Sequence, residues 1–277
     1  MMRLCAPLTG ALLLLSSTAA QAALVGHWAF DEAGGPTAFD SAGSNDGALT
    51  GGASFAAGGG IIGGAISLDV ATGDYVDMGN VHSFTSGSFS VQAWIKVAPG
   101  TTAAMAPVTK HHSGFGNGYF LAVNDVGDGL GAAAVNKAHF YDSGWNSGAS
   151  ATSVNDGQWH QLVGVYNTGA GRAEIYVDGT LESFAGLLPI APNGVSFLVG
   201  GVGGLSGTPG SIFTGLVDDV RVYDHALSGV EVSALFELPN QIREPAALGL
   251  FGLGLLGLGA ARRRMIGGPV RPAKFAG

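Results

Sequence analysis

Hydrophobic and polar residues alternate along several short stretches of this chain. From Phe89 to Val97 the sequence reads Phe-Ser-Val-Gln-Ala-Trp-Ile-Lys-Val. Phe89, Val91, Ala93, Ile95 and Val97 fall on one face and Ser90, Gln92, Trp94 and Lys96 on the other, the period of a half-buried β-strand. Trp159 to Asn167 and Arg172 to Val177 read as two more strands, joined through Thr168–Gly171 as a hairpin. Asp178-Gly179 then makes a tight turn of the primed kind, in which both central residues take positive φ. A late strand is predicted from Ile212 to Tyr223, with Leu216, Asp218, Val220 and Val222 on one face and Asp219 and Arg221 on the other. The one helix with a clear start follows. Ser228 is its N-cap, Glu231 completes a capping box, and Val230, Val232, Ala234 and Leu235 supply apolar surface. Many short strands, frequent turns and little helix predict an all-β fold, an antiparallel two-sheet jelly-roll sandwich.

Composition supports that picture. Glycine supplies 48 of 277 residues and charged residues only 12%, which suits short strands and tight turns better than helices. Residues 23–239 form one domain, a normal length for a single sandwich. Between Leu24 and Gln241 there are 5 Lys and Arg against 19 Asp and Glu, a net charge of −14. Nucleic acid is excluded as a partner, because phosphate binding needs a basic face. The balance suits cations or neutral polymers, although most of the carboxylates serve solubility.

The two ends predict a destination. Met1-Met2-Arg3, an apolar stretch and the small residues up to Ala20-Gln21-Ala22 read as a secretory signal peptide, residues 1–22. Cys5 is the only cysteine and lies inside it, so the exported domain has no disulfide and must hold together by core burial or by metal. At the other end an uncharged apolar run, Ala246 to Ala261, precedes Arg262, Arg263 and Arg264. As a helix it nearly spans the ~30 Å hydrocarbon core, and the arginines hold residues 262–277 on the cytoplasmic side. Residues 240–245 form a linker ending in Glu244-Pro245.

These ends together resemble the PEP-CTERM class of exported bacterial proteins, in which a Pro-Glu-Pro motif, an apolar helix and a basic cluster are read by an exosortase. Glu244, Pro245, Arg262, Arg263 and Arg264 match; Arg243 stands where the motif has its first Pro, and Met265 to Gly277 extend past the arginines. The resemblance implies signal peptidase, the inner membrane and an exosortase as partners. It also implies a final location at the surface of a Gram-negative-type cell or in its surroundings.

The domain itself resembles LamG-like, concanavalin A-like jelly rolls. Four segments carry the likeness: His27 to Gly35 with Asp40 to Leu49; Asp74 to Gly79 followed by the Phe89–Ile95 strand; Asp156 to Tyr166 with Ile175 to Gly179; and Gly215 to Tyr223 with Ala226 to Glu231. Many relatives hold a structural Ca²⁺ where the first and last strands meet. The resemblance places such a site on Asp31, Asn45, Asp46 and Asp218, with Asp218 set among apolar neighbours where a bare carboxylate is costly. The other reading of Asp31, Asn45 and Asp46 is local turn making.

The fold hosts lectins, adhesion modules and enzymes alike. Glycanases on it carry paired carboxylates in a Glu-x-Asp-x-(x)-Glu string, which this sequence lacks. Glu174 and Asp178 are four apart, but Asp178 belongs to a turn. No nucleophile elbow, zinc motif or phosphate loop occurs. The stretch from His139 to Asn146 has the composition of a sugar site, with Tyr141, Asp142, Trp145 and Asn146 in an expected loop. The alternative is that Phe140 and Trp145 pack that loop into the core. Trp28, Trp94 and Trp159 read as packing residues. The sequence thus predicts a non-catalytic, exported surface or matrix protein that binds glycan or protein. The alternatives are a glycan-active enzyme and a structural coat protein.

Overall fold

The computed structural model describes residues 23–112, 117–124, 134–143, 148–203 and 212–243. The strands in chain order are β1 (Leu24–Trp28), β2 (Thr37–Ala38), β3 (Gly47–Thr50), β4 (Ser54–Phe55), β5 (Ile66–Leu68) and β6 (Tyr75–Asp77). The long central strands are β7 (Phe89–Lys96), β8 (Met105–His111), β9 (Gly118–Val123), β10 (Ala138–Asp142), β11 (Trp159–Asn167) and β12 (Arg172–Val177). The last are β13 (Thr180–Gly186), β14 (Leu198–Val199) and β15 (Gly215–Tyr223), followed by the helix α1 (Gly229–Arg243).

They form two antiparallel sheets. One runs β13-β12-β11-β7-β15-β5-β4, with β1 also on β15; the other runs β10-β9-β8-β14-β6-β3-β2. The inner faces share one core that includes Trp28, Phe89, Val91, Ala93, Ile95, Leu121, Phe140, Ile175, Phe197 and Val222. The β7 alternation lands as its sequence predicts, with its apolar face in that core. On the outer face of the first sheet, Val163, Val165, Tyr176 and Tyr223 form a second cluster with Leu227 and Val232. Helix α1 lies over it, and Phe236 stacks on Trp94 at 5.6 Å. Trp94 therefore packs outside the sandwich, against the helix, whereas Trp28 lies inside it.

Local signals set the connections. Asp178 and Gly179 have φ of 50° and 79°, the pair of positive values that a two-residue primed hairpin requires. At α1 the Ser228 N–H donates to Glu231 Oε2 at 2.7 Å and the Glu231 N–H to Ser228 Oγ at 3.4 Å, the reciprocal capping box. The helix continues through Pro239 to Arg243, so the segment expected as a linker is helical at its start. A proline this late removes one N–H bond from a helix already anchored on the sheet.

Strand β15 departs from simple alternation. Asp218 pairs with Trp94 and Arg221 with Gln92, with a register shift between them. Asp219 and Val220 are the two residues that this bulge sets against one on β7, and Asp219 has φ of 49°. The bulge restarts the parity: Val217, Val220 and Val222 all enter the core. Asp218 consequently does not share a face with Val220 and Val222, which corrects the uninterrupted alternation expected from sequence.

Candidate functional site

Strand registers place one row of side chains across the outer face of the second sheet. Ala48 pairs with Asp77, Asp77 with Leu198, Leu198 with Thr109, Thr109 with Phe120, and Phe120 with Tyr141. Their neighbours on the same strands, Leu49, Val76, Val199, Val108, Leu121 and Phe140, point the other way and pack in or against the core. The row is exposed at Ala48, half-buried at Asp77 and buried from Leu198 to Tyr141. Its closed end is aromatic. Phe120 and Tyr141 stack with centroids 4.3 Å apart, His111 lies 4.9 Å from Phe120, and His139 lies 6.1 Å from Tyr141. Ala106, Ala122 and Val202 complete this small apolar patch. A sandwich normally turns polar residues outward, so a stacked aromatic and imidazole row on an outer face is a departure from what the fold alone requires.

Tyr141 and Asp142, two of the expected ligand residues, lie on β10 and not in a loop. Ala138 and Phe140 point inward while His139 and Tyr141 point outward, the period of a strand. Consecutive residues face opposite ways, so Tyr141 joins the outer row and Asp142 turns toward the interior. Asp142 is fully buried. Its Oδ2 accepts from the Leu188 N–H at 2.8 Å, and its Oδ1 has no partner. Burial pushes its carboxyl up to about 6, with the Leu188 bond opposing. Trp145 and Asn146 lie outside the described residues. So do residues 1–22, expected as a signal peptide, together with Glu244, Pro245, the apolar run and Arg262 to Arg264. Among the described residues no helix is long and apolar enough to cross a membrane.

The four expected calcium ligands divide into two groups. Asp218 Oδ2 accepts from the Ile61 and Ile62 N–H groups at 2.8 and 3.0 Å, and Asp31 Oδ1 from the Gly64 N–H at 2.6 Å. Both carboxylates therefore grip one tight loop, Gly60 to Gly64, where a Cβ at Gly63 would sit 2.1 Å from Asp31 Oδ1. Asp218 Oδ1 is buried without a partner. Burial pushes the Asp218 carboxyl up to about 7, the Asp219 charge adds to this, and the Ile62 and Ile61 bonds oppose it. Asn45 and Asp46 work elsewhere. The Asn45 carbonyl accepts from the Trp28 indole at 3.0 Å, and Asp46 Oδ1 accepts from the Asp40 N–H at 2.9 Å. Among the described residues no three His, Cys, Asp or Glu side chains come together as a metal group.

Two polar residues stand out that the sequence reading passed over. Asp40 organises the turn after β2, accepting from the N–H groups of His27, Ala42, Gly43 and Asn45. Burial works against its charge, but these four donors outweigh it and hold the carboxyl below its usual range. Its place in a cluster of small and polar turn residues, Asp40-Ser-Ala-Gly-Ser-Asn-Asp, was the available signal. Lys110 is buried beneath the sheet, donating to Asn80 Oδ1 at 2.6 Å and to the Val195 carbonyl. Burial pushes its ammonium down to about 8, against the pull of Asp77.

A sequence profile described as the concanavalin A-like lectin/glucanases superfamily matches residues 70–233, more than half of the chain. The chain belongs to that superfamily. No curated protein matches its sequence. Solved structures of similar fold include domain 4 of AbnA, a GH43 extracellular arabinanase from Geobacillus stearothermophilus, in complex with arabinotriose. That match has a TM-score of 0.59 at 22% identity and covers 77% of this chain and 98% of the domain. The binding domain of Paraclostridial Mosquitocidal Protein 1 matches with a TM-score of 0.55 at 13% identity, covering 77% of this chain and 52% of that one. Trypanosoma rangeli sialidase in complex with the inhibitor DANA matches with a TM-score of 0.53 at 14% identity, covering 77% and 32%. The chain thus spans about half and a third of the last two. At these identities the likeness is one of fold, and members of this superfamily differ in what the fold is used for.

Proposed function

We propose that this superfamily member is a glycan-binding or adhesive module, non-catalytic toward the glycan it holds, that acts outside the cytoplasm. The observation that carries the reading is the stacked row His111, Phe120, Tyr141 and His139 on the outer face of the second sheet. The row is nearly closed to solvent, with His111 and Phe120 each 7% exposed and Tyr141 2%, so it would form the floor of a sugar site, with the rims of Phe120 and His111 as its reachable part. The likeness to an arabinanase domain solved with arabinotriose agrees with this use of the fold. Glycoside hydrolysis ordinarily uses two carboxylates about 5–9.5 Å apart across the bond. Among the described residues the row carries one carboxylate, Asp77, and its Oδ1 is committed to the Gly79 N–H at 2.7 Å.

Export and sorting follow from the signal-like start and the Glu244-Pro245, apolar and triple-Arg end. A structural cation is part of the proposal in a narrower form than the sequence suggested. Asp31 and Asp218 would hold it on the Gly60–Gly64 loop, where the unpartnered Asp218 Oδ1 offers a ligand atom and loop carbonyls can complete an oxygen set. It would tie the chain after β1 to β15. Incubating the protein with a panel of neutral and acidic polysaccharides tests the reading. Retention without shortened products is expected; new reducing ends that depend on the protein would overturn it.

A further inference from the structure

On the outer face of the first sheet, three side chains from distant parts of the chain form a continuous hydrogen-bonded line. Ser41 Oγ lies 2.7 Å from His27 Nδ1, and His27 Nε2 lies 2.7 Å from Asp219 Oδ1. His27 comes from β1, Ser41 from the turn ordered by Asp40, and Asp219 from the bulge in β15. We propose that Ser41, His27 and Asp219 form a nucleophilic serine site that accepts acyl esters.

The chemistry follows from what each atom can donate. An ionised carboxylate only accepts. Asp219 Oδ1 already accepts from Arg221 Nε at 3.1 Å and Nη2 at 3.0 Å, and Oδ2 from Gln92 Nε2 at 3.3 Å. In neutral His27 the ring hydrogen therefore sits on Nε2, facing Asp219. Nδ1 is left as a lone pair, and the Ser41 hydroxyl donates to it. That hydroxyl has a second acceptor, the His27 carbonyl at 3.2 Å, but the ring nitrogen is nearer. A base held in one tautomer by a buried carboxylate, beside a serine hydroxyl, is the arrangement that activates oxygen nucleophiles. Here the ring is turned so that Nδ1, and not Nε2, meets the serine.

Burial and backbone agree with such a use. The Asp219 side chain is 5% exposed and that of His27 19%, whereas Ser41 is exposed. The acid is thus shielded and the nucleophile reachable. Asp219 is held at φ 49°, a conformation that non-glycine residues adopt at a cost and that clusters at working sites. Phe39, two residues before Ser41 in the chain, is 59% exposed.

The reaction is ester hydrolysis. Ser41 Oγ bonds to the ester carbonyl carbon as its proton passes to His27 Nδ1. The carbon–oxygen bond to the alcohol then breaks, and the alcohol leaves with that proton. Water attacks the acyl-Ser41, gives a proton through His27 back to Ser41 Oγ, and releases the carboxylic acid. One oxyanion donor is worth about 10²–10³ in rate. Covalent capture needs only the nucleophile and its base, so it is a more direct readout than turnover.

A fluorophosphonate probe applied to the full chain, with the adduct located by peptide mass spectrometry, tests this. Labelling of Ser41 is expected, together with slow hydrolysis of p-nitrophenyl acetate, and both are lost in Ser41→Ala, an exposed change that leaves the melting temperature in place. Asp219→Asn suits the same positive φ but no longer dictates the tautomer. It should slow labelling at least ~100-fold, since the corresponding change in a serine protease costs about 10⁴, without an equal loss of thermal stability. Ser41 labelled no faster than other exposed serines would overturn the proposal. So would an undiminished rate in a folded Asp219→Asn protein.

Discussion

Asp142 gives the fold a measurable dependence on pH. Its carboxyl is fully buried, and Oδ2 accepts from the Leu188 N–H while Oδ1 has no hydrogen-bond partner. Burial moves it from an ordinary 3.8 to about 6. A carboxyl raised in the folded state is favoured there in its neutral form. Its contribution to stability is therefore fully present below about pH 4 and is lost as pH rises through about 6. A separation of about two pH units at 1.36 kcal/mol each corresponds to about 3 kcal/mol across that window. Asp142→Asn removes the titration but brings its own fixed cost, an amide with an unpaired donor. That cost cancels when the variant is compared with the parent at two pH values. Urea unfolding of both proteins at pH 4 and pH 8 is the assay. The variant should gain about 3 kcal/mol on the parent between pH 4 and pH 8. A difference that does not change with pH, or one that favours the parent at pH 8, would refute the reasoning and show Asp142 comfortably ionised.

Two further outcomes follow from packing and from the carboxylate loop. Gly164 lies on β11 where an added Cβ would meet Phe140 Cδ2 at 2.1 Å; Gly164→Ala should cost about 1–3 kcal/mol of stability by overpacking, read as a lower urea midpoint with an unchanged slope. If Asp31 and Asp218 hold calcium, adding the ion at about 100 times its dissociation constant to chelator-treated protein should stabilise it by about 2.7 kcal/mol, and Asp218→Asn should abolish the gain; a melting temperature that ignores calcium would remove the cation from the account.

How far the sequence speaks depends on the kind of information. The Phe89–Val97 face, the Asp178-Gly179 turn and the Ser228–Glu231 box were legible because each depends on residues within one or two turns of chain. Strand β10 was missed because glycine and serine follow it closely, although Ala138 and Phe140 alternate with His139 and Tyr141 as in any strand. The β15 bulge was not legible. One extra residue reverses the parity, and the run Leu-Val-Asp-Asp-Val-Arg-Val reads as unbroken alternation until the pairing with β7 is known. The calcium expectation divided for a related reason: Asp31 and Asp218 meet a common loop at Gly60–Gly64, while Asn45 and Asp46 are taken up locally by Trp28 and Asp40. The line from Ser41 to Asp219 joins residues far apart in the chain, and no local spacing announces it. The aromatic row is also a product of register, since His111, Phe120 and Tyr141 sit on three strands.

The central claim is that the outer face of the second sheet takes a sugar. Isothermal titration of the full chain with the glycan best retained from the polysaccharide panel, repeated with Phe120→Ala, tests it directly. The account predicts saturable binding by the parent and an affinity at least ~10-fold weaker in the variant, with the melting temperature confirming that both are folded. Equal affinity in the two proteins, or no saturable heat with any glycan, would contradict it.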